Sequence, residues 1–416
     1  VHPGSAITQP YWLQHTMEEG YFNVKDQQDI GKPDVESTYW LIANLKIEGQ
    51  DIVFRKPVKY KFTDPVKGEL YEPLVVIPAV EFDFVGDNNF SINDSAVKVQ
   101  VHFKRNLKDS TLYTFQVNHS DKWFVDKDNF QYGSWSNPSN YVSSVFKPRQ
   151  GNGSLRESIS LTLKKGDKIL FAGYRKYVSY DHIPYINYFK EARSALSQIT
   201  LTTYNKKIGY IVGAGDKVPE ALEQMGYEVN MLTQKELSKN DLSKFDAIIT
   251  GVRAYNTNEW LNNNYDKLMK YVNDGGNLIV QYNTSNNIGP VRSKIAPYNF
   301  NITRTRVTDE NAKVTLLKPE HPVFNFPNKI TDDDFKGWVQ ERSIYHGSDT
   351  SGKFEKLIGM SDPGEKSDDG SLLVAKYGKG WFTYTGLVFF RELPAGVPGA
   401  YRLLANIIAL NKKKGF

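Results

Sequence analysis

The residues best placed for covalent chemistry follow the apolar run Asn277 to Tyr282, where the chain reads Asn283-Thr284-Ser285-Asn286-Asn287. Enzymes built on an open α/β sheet often hold a nucleophile on a sharp turn at the end of such a strand. Acyl transfer there needs a nucleophile, a base within hydrogen-bond reach and donors for the oxyanion. Ser285 is the candidate nucleophile, and His321 and His346 are the late histidines that could serve it. The chain has no cysteine, which excludes thiol nucleophiles, disulfides and thiolate metal sites. Gln281 to Ser285 also lacks the glycines that ease a tight reversal. The expectation is a scaffold that has lost its usual chemistry.

Two sets of residues could bind rather than react. Ligands of open α/β sheets sit outside the carboxyl ends of the strands. Arg253, Tyr255, Asn256, Asn283, Thr284 and Ser285 fall there, a polar to cationic rim suited to a sugar or a carboxylate. The alternative is that these loops hydrogen-bond one another or pack on Trp338 to Arg342. The second set is Trp123, Tyr132, Trp135 and Tyr141, with Phe124 and Phe130, interleaved with Asp126, Asp128, Asn129, Asn137 and Asn140. Flat rings beside short amides and carboxylates suit a glycan surface. The same rings could equally fill a core while Asn and Asp form turns.

Other motifs carry less. Gly213-Ala214-Gly215 lies between a strand and a helix, but a dinucleotide fingerprint wants a third glycine where Val218 stands, so a tight turn is expected. Asp332-Asp333-Asp334 lacks the alternate spacing and distal Glu of a calcium loop and reads as a turn that caps the next segment. The histidines are scattered, with no pair at i, i+4, so no metal site is expected. No cofactor is expected either.

The elements that must position these groups change character along the chain. Residues 1–76 read as a β module and 77–180 as a β-sandwich module, each of short β-rich runs between Gly, Pro, Asn and Asp clusters. Val97-Lys98-Val99-Gln100-Val101-His102-Phe103 alternates most cleanly. Residues 181–206 read as a linker with a short helix over Tyr188 to Leu196. From 207 to 416 the order is strand, turn, helix, strand, helix, strand, helix, strand. Thr233-Gln234-Lys235-Glu236 has the form of a capping box, and Asp274-Gly275-Gly276 a helix end. Leu372 to Tyr377 and Trp381 to Phe389 pair across Gly378-Lys379-Gly380, and Ala400 to Leu410 closes the chain as a helix. The fold expected is multidomain: two β-sandwich, Ig-like modules and then a doubly wound α/β domain.

A net charge of +5 over 416 residues is too dilute to imply nucleic acid, and no apolar run is long enough to span a bilayer. Absence of cysteine fits an exported, periplasmic or extracellular protein, with a cytoplasmic one as the alternative. Starting at Val1, the chain reads as a processed or excised piece.

Several strings resemble the region that follows the catalytic domain in large PIG-L/LmbE-type deacetylases. They are Tyr11-Trp12-Leu13, Thr63-Asp64-Pro65-Val66-Lys67-Gly68-Glu69, Tyr180-Asp181-His182-Ile183-Pro184, Trp338-Val339-Gln340-Glu341-Arg342 and Gly396-Val397-Pro398-Gly399-Ala400-Tyr401-Arg402-Leu403. Within that likeness, residues from Lys207 onward resemble the class I glutamine amidotransferase-like fold. The deacetylase's His-Pro-Asp-Asp-Glu motif is absent: His2-Pro3 continues as Gly4-Ser5 and His321-Pro322 as Val323-Phe324. The resemblance therefore implies a non-catalytic accessory region, with a deacetylase domain upstream in the parent chain as partner. Its work would be to position that enzyme or to bind carbohydrate. An autonomous hydrolase or transferase, or a purely structural interaction module, are the alternatives.

Overall fold

A computed structural model describes residues 6–18, 20–32, 37–108, 110–133, 139–149, 155–183, 185–204, 206–239, 241–288 and 291–412. The protein is predominantly β and divides into two compact units. One comprises residues 1–86, 98–146 and 158–194; the other comprises 87–97, 147–157 and 195–416. No helix among the described residues is long and apolar enough to cross a membrane.

In the first unit, alternation becomes burial. Val99, Val101 and Phe103 point into a core while Lys98, Gln100 and His102 do not. Strands Val80–Phe84, Val97–Arg105, Ser139–Pro148 and Trp123–Val125 form one sheet, and Asn129–Tyr132, Tyr113–Asn118 and Leu155–Lys165 lie side by side in another. Phe82 and Phe103 of the first meet Phe115 of the second, with the Phe82 and Phe115 rings 4.8 Å apart. Earlier in the chain, Trp40–Ile47 and Gln50–Pro57 form a hairpin. Its turn is Glu48-Gly49, both at positive φ, as a two-residue turn matched to strand twist requires. This ribbon leaves Leu41, Ile42, Leu45, Val53 and Phe54 exposed.

In the second unit the period changes to that of buried strands and amphipathic helices. The chain runs through β1 (Lys207–Ile211), α1 (Val218–Gln224), β2 (Glu228–Met231), α2 (Gln234–Lys239), β3 (Ala247–Thr250), α3 (Ala254–Thr257), α4 (Tyr265–Asn273) and β4 (Asn277–Gln281). After a long irregular stretch come β5 (Phe354–Lys356), β6 (Leu372–Tyr377), β7 (Gly380–Thr385) and α5 (Pro398–Ile408). They build one seven-stranded sheet in the order β2-β1-β3-β4-β7-β6-β5. β2, β1, β3, β4 and β7 are parallel to their neighbours, and β6 is reversed. Successive residues feed opposite faces, which explains the unbroken apolar runs. Ile249 and Ile279 pack with Leu222 of α1 and Leu404 of α5, whereas Ile248, Leu278 and Val280 pack with Leu237 of α2 and Leu268 of α4.

The local signals act as their chemistry requires. Thr233 and Glu236 exchange the two bonds of a capping box at α2, the Thr233 N–H donating to the carboxylate at 2.9 Å. Gly275 ends α4 at φ 122°, and the hairpin between β6 and β7 turns through Gly378 at φ 58°. Thr331 and Asp334 form a second capping box, and Asp334 also takes the Arg402 guanidinium at 2.7 Å.

The helix expected over Tyr188 to Leu196 is absent. That stretch is two strands, Ile186–Glu191 and Arg193–Ile199. Lys190-Glu191-Ala192-Arg193 favours a helix locally, but pairing wins: Ile186–Glu191 zips against Gly173–Val178, and Ala195–Ile199 lies parallel to Asn88–Ile92.

α5 is held by one polar residue in an apolar setting. The buried Asn406 amide donates to the carbonyls of Val323 and Asn328 at 2.8 and 2.7 Å, and its oxygen accepts the Asn328 N–H at 2.9 Å. Asn406→Ala orphans all three backbone groups, so a loss of about 3 kcal/mol is expected as a lower urea midpoint at unchanged slope.

Candidate functional site

The carboxyl ends of β1 and β3 are drawn together by small residues and one carboxylate. A Cβ on Gly213 would fall 2.0 Å from the Val252 carbonyl, and one on Gly251 would fall 2.9 Å from the Gly213 amide. Both glycines are needed for this approach. Asp216 fills the space between the loops, accepting the N–H groups of Val218 and Val252 at 3.0 Å each and the Tyr210 hydroxyl at 2.6 Å. The Gly213-Ala214-Gly215 turn thus packs against its neighbour, and its would-be anion seat is taken by the protein's own carboxylate.

The sharp strand-to-helix turn lies after β3, one strand earlier than expected. Arg253 occupies its apex at φ 58°, ψ 23°, immediately before α3. This is the left-handed conformation, uncommon for a side-chain-bearing residue and concentrated at functional sites. The Arg253 N–H donates to the Tyr282 carbonyl at 2.8 Å and the Ala254 N–H to Gly251 at 3.1 Å. The amides that would cradle an oxyanion are therefore engaged, and the apex side chain is a guanidinium.

The loop expected to carry the nucleophile is knitted to α3. Asn283, fully buried, accepts the Tyr255 N–H at 3.0 Å, and Asn256 accepts the Thr284 N–H at 2.8 Å. Ser285 accepts the Asn287 N–H at 3.3 Å, and no histidine is bonded to it. His321 instead caps a short helix through the Val323 N–H. Among the described residues Ser285 thus lacks the imidazole partner a triad needs. Tyr255 lies in the core rather than on the rim. Of the expected binding set, Arg253, Asn256, Thr284 and Ser285 keep side-chain surface.

Beside Arg253 the structure assembles residues that the spacing did not reveal. Tyr282 stacks on Tyr345, rings 5.4 Å apart and 7° from parallel, and meets Phe390 at 5.3 Å. Arg391 donates to Glu341 at 2.8 Å and also to the Gln340 side chain. Burial raises the Tyr282 phenol above its ordinary pKa, opposed by the positive charges of Arg253 and Arg391. Gln340 and Tyr345 share Arg253's backbone state, at φ 68° and 51°. Three strained side-chain-bearing residues thus ring one edge of the sheet.

Behind Tyr345 lies a Ser-His-Asp chain. Ser343 Oγ is 2.6 Å from His346 Nε2, and His346 Nδ1 is 2.5 Å from Asp368 Oδ1. The bond from His346, with the Gly370 N–H, holds the Asp368 carboxyl below its usual pKa. An ionised Asp368 accepts from Nδ1, which leaves Nε2 to accept the serine proton, the tautomer a triad uses. Yet Ser343 and His346 are 0% and 1% exposed, and Met360 Sδ lies 3.8 Å from the hydroxyl. The adjacent amides of Ile344 and Leu387 donate to Gly386 and Thr385. The chain has the bonds of a triad, with its serine and imidazole buried.

The aromatic set in the first unit separates. Trp123 is buried against Phe146, so it presents no face to a sugar; the core reading applies to it and to Phe130. Tyr132 packs on Phe103 at 4.3 Å. Tyr141 is 59% exposed, its ring 4.9 Å from His102. Trp135 lies outside the described residues. No three His, Asp or Glu side chains among the described residues gather as a metal site.

No family model and no curated protein matches the chain. Among solved structures, it is similar to a protein of unknown function from Porphyromonas gingivalis W83, at 9% identity and a TM-score of 0.18. The match covers 32% of this chain and 60% of that one, less than two thirds of its length.

Two tests follow from the geometry. Arg253→Gly relieves a left-handed cost of about 1–2 kcal/mol against a glycine entropy cost of roughly 0.5–1 kcal/mol. It should raise the urea midpoint slightly. Glu392, buried beneath Val339, accepts that N–H through both oxygens at 3.2 and 3.0 Å. Burial pushes its pKa up to about 8, against the Val339 bond and the Arg342 charge. A carboxyl with a raised folded-state pKa stabilises fully below its unfolded value, and this contribution is lost as pH climbs towards 8. Glu392→Gln should therefore melt increasingly above wild type as the pH goes from about 5 to about 9.

Proposed function

We propose that this chain is a non-catalytic accessory region of an exported PIG-L/LmbE-like (N-acetylglucosaminyl) deacetylase, and that the Arg253 rim binds carbohydrate. In this reading the second unit is a doubly wound, class I glutamine amidotransferase-like domain, and the β-rich part contains Ig-like sandwiches. The upstream deacetylase domain is its partner in the parent chain, in the periplasm or outside the cell. The strings that resemble such deacetylases support the parentage. The observation that carries the loss of catalysis is Arg253, a side chain unable to act as an acyl-transfer nucleophile, at the apex of the strand-to-helix turn. Asp216 and the engaged amides around it support the same conclusion.

An aromatic wall beside an arginine is what a pyranose needs: a ring for its C–H face and donors for its hydroxyls. A ligand at 100 times its Kd should stabilise the folded chain by about 2.7 kcal/mol, read as a raised Tm in a saccharide screen. Tyr345→Gly, which removes the outer ring of the wall, should cancel the shift.

A second reading, an autonomous hydrolase, has one observation in its favour: the Ser343–His346–Asp368 chain. A fluorophosphonate probe separates the two. The accessory reading expects no adduct on Ser343 or Ser285. A stoichiometric adduct that Ser343→Ala abolishes would establish the hydrolase.

A further inference from the structure

We propose that the ligand of this rim carries a carboxylate: an acidic saccharide of the uronic acid type. The inference rests on the carbohydrate reading and adds the charge. The local balance motivates it. Two guanidinium groups, Arg253 and Arg391, lie close enough to Tyr282 to act on its phenol, and the carboxylates at this edge already have partners: Glu310 accepts the Gln340 N–H at 2.6 Å. Glu341 is already committed to Arg391, at 2.8 Å, with the Gln340 side chain as Arg391's second acceptor.

Arg253 differs. Among the described residues its guanidinium has no hydrogen-bond or ion-pair partner, while its backbone is fixed by bonds to the Tyr282 carbonyl and from Asn256 and Thr257. Such an anchored cation is a pre-organised fork for a planar carboxylate, which it can meet through two parallel bonds. Backbone strain does not favour this placement, because a glycine would hold the same turn without strain. The strain persists with an arginine at the apex, and the side chain is what the position presents.

The remaining features fit the rest of a sugar acid. Tyr345 and Phe390 are half-buried, so each offers part of a ring to solvent. Tyr345 is backed by Tyr282 in a near-parallel stack, which keeps its ring from turning. Asn256, Thr284 and Ser285 border the same turn, where their bonds to one another and to nearby backbone make them its rigid floor. Carboxylate at Arg253 and pyranose over Tyr345 match the two kinds of group this edge presents, a cation and a ring.

The test is a titration of the whole 416-residue chain, followed by NMR or calorimetry, with glucuronate, glucose and acetate as separate probes. Glucuronate should bind most tightly, weaken with salt, and lose about tenfold or more in affinity in Arg253→Gln. That variant changes an exposed side chain without protein partners, and an unaltered melting curve checks that it folds. Equal binding of glucose and glucuronate, indifferent to Arg253→Gln, sinks the acidic ligand and leaves carbohydrate binding standing. Acetate binding as tightly as glucuronate makes the rim a plain anion site and overturns the proposal. Failure of all three, together with a wider saccharide panel, removes both readings.

Discussion

Everything at the carboxyl edge of the second unit depends on how closely the ends of β1 and β3 approach. Two glycines permit it and the Asp216 carboxylate completes it, replacing the anion that such loops are shaped to receive. With those loops clamped, the chain leaving β3 must reverse within two residues, and Arg253 is forced through the left-handed region to do so. The Asn256 and Asn283 lattice then ties that turn to the next loop. The scaffold makes a sharp strand-to-helix turn and puts a guanidinium at its tip.

Much of this fold was legible from period alone. Parallel strands covered on both faces show as unbroken apolar runs, and α4 shows as Leu268 and Val272 on one face with Gly275 to end it, whereas Leu261, expected on the same helix, lies in a separate short one, Trp260–Asn263. The capping box at Thr233 and the hairpin through Gly378 could be read because their chemistry lies within a few residues. The Tyr188 to Leu196 stretch could not, because its fate is decided by pairing: its first half zips against Gly173–Val178, and its end lies beside Asn88–Ile92, about a hundred positions away in the chain. Local preference had no access to that partner.

The site was legible only in part, for a similar reason. Arg253, Asn256 and Asn283 could be placed at strand ends by counting elements. The elbow at Arg253 is invisible in the sequence because a conformation such as φ 58° at an arginine leaves no compositional mark. Asp216 gives no signal either: an acidic residue after a glycine turn looks like any loop carboxylate until the Val252 N–H arrives from the neighbouring strand. Tyr345, Phe390 and Arg391 come from a separate stretch of chain and meet Tyr282 only in the folded state. Trp123 shows the reverse case, where a composition suited to sugar binding turned out to be packing.

The Ser343–His346–Asp368 chain also has a structural consequence. Ser343 and His346 flank Tyr345, and their mutual bond closes a short loop that keeps Tyr345 at its positive φ, its carbonyl held by the Tyr384 hydroxyl. At the far end the Asp368 side chain is 37% exposed. A surface carboxylate is thereby connected, through an imidazole and a hydroxyl, to the ring that walls the rim.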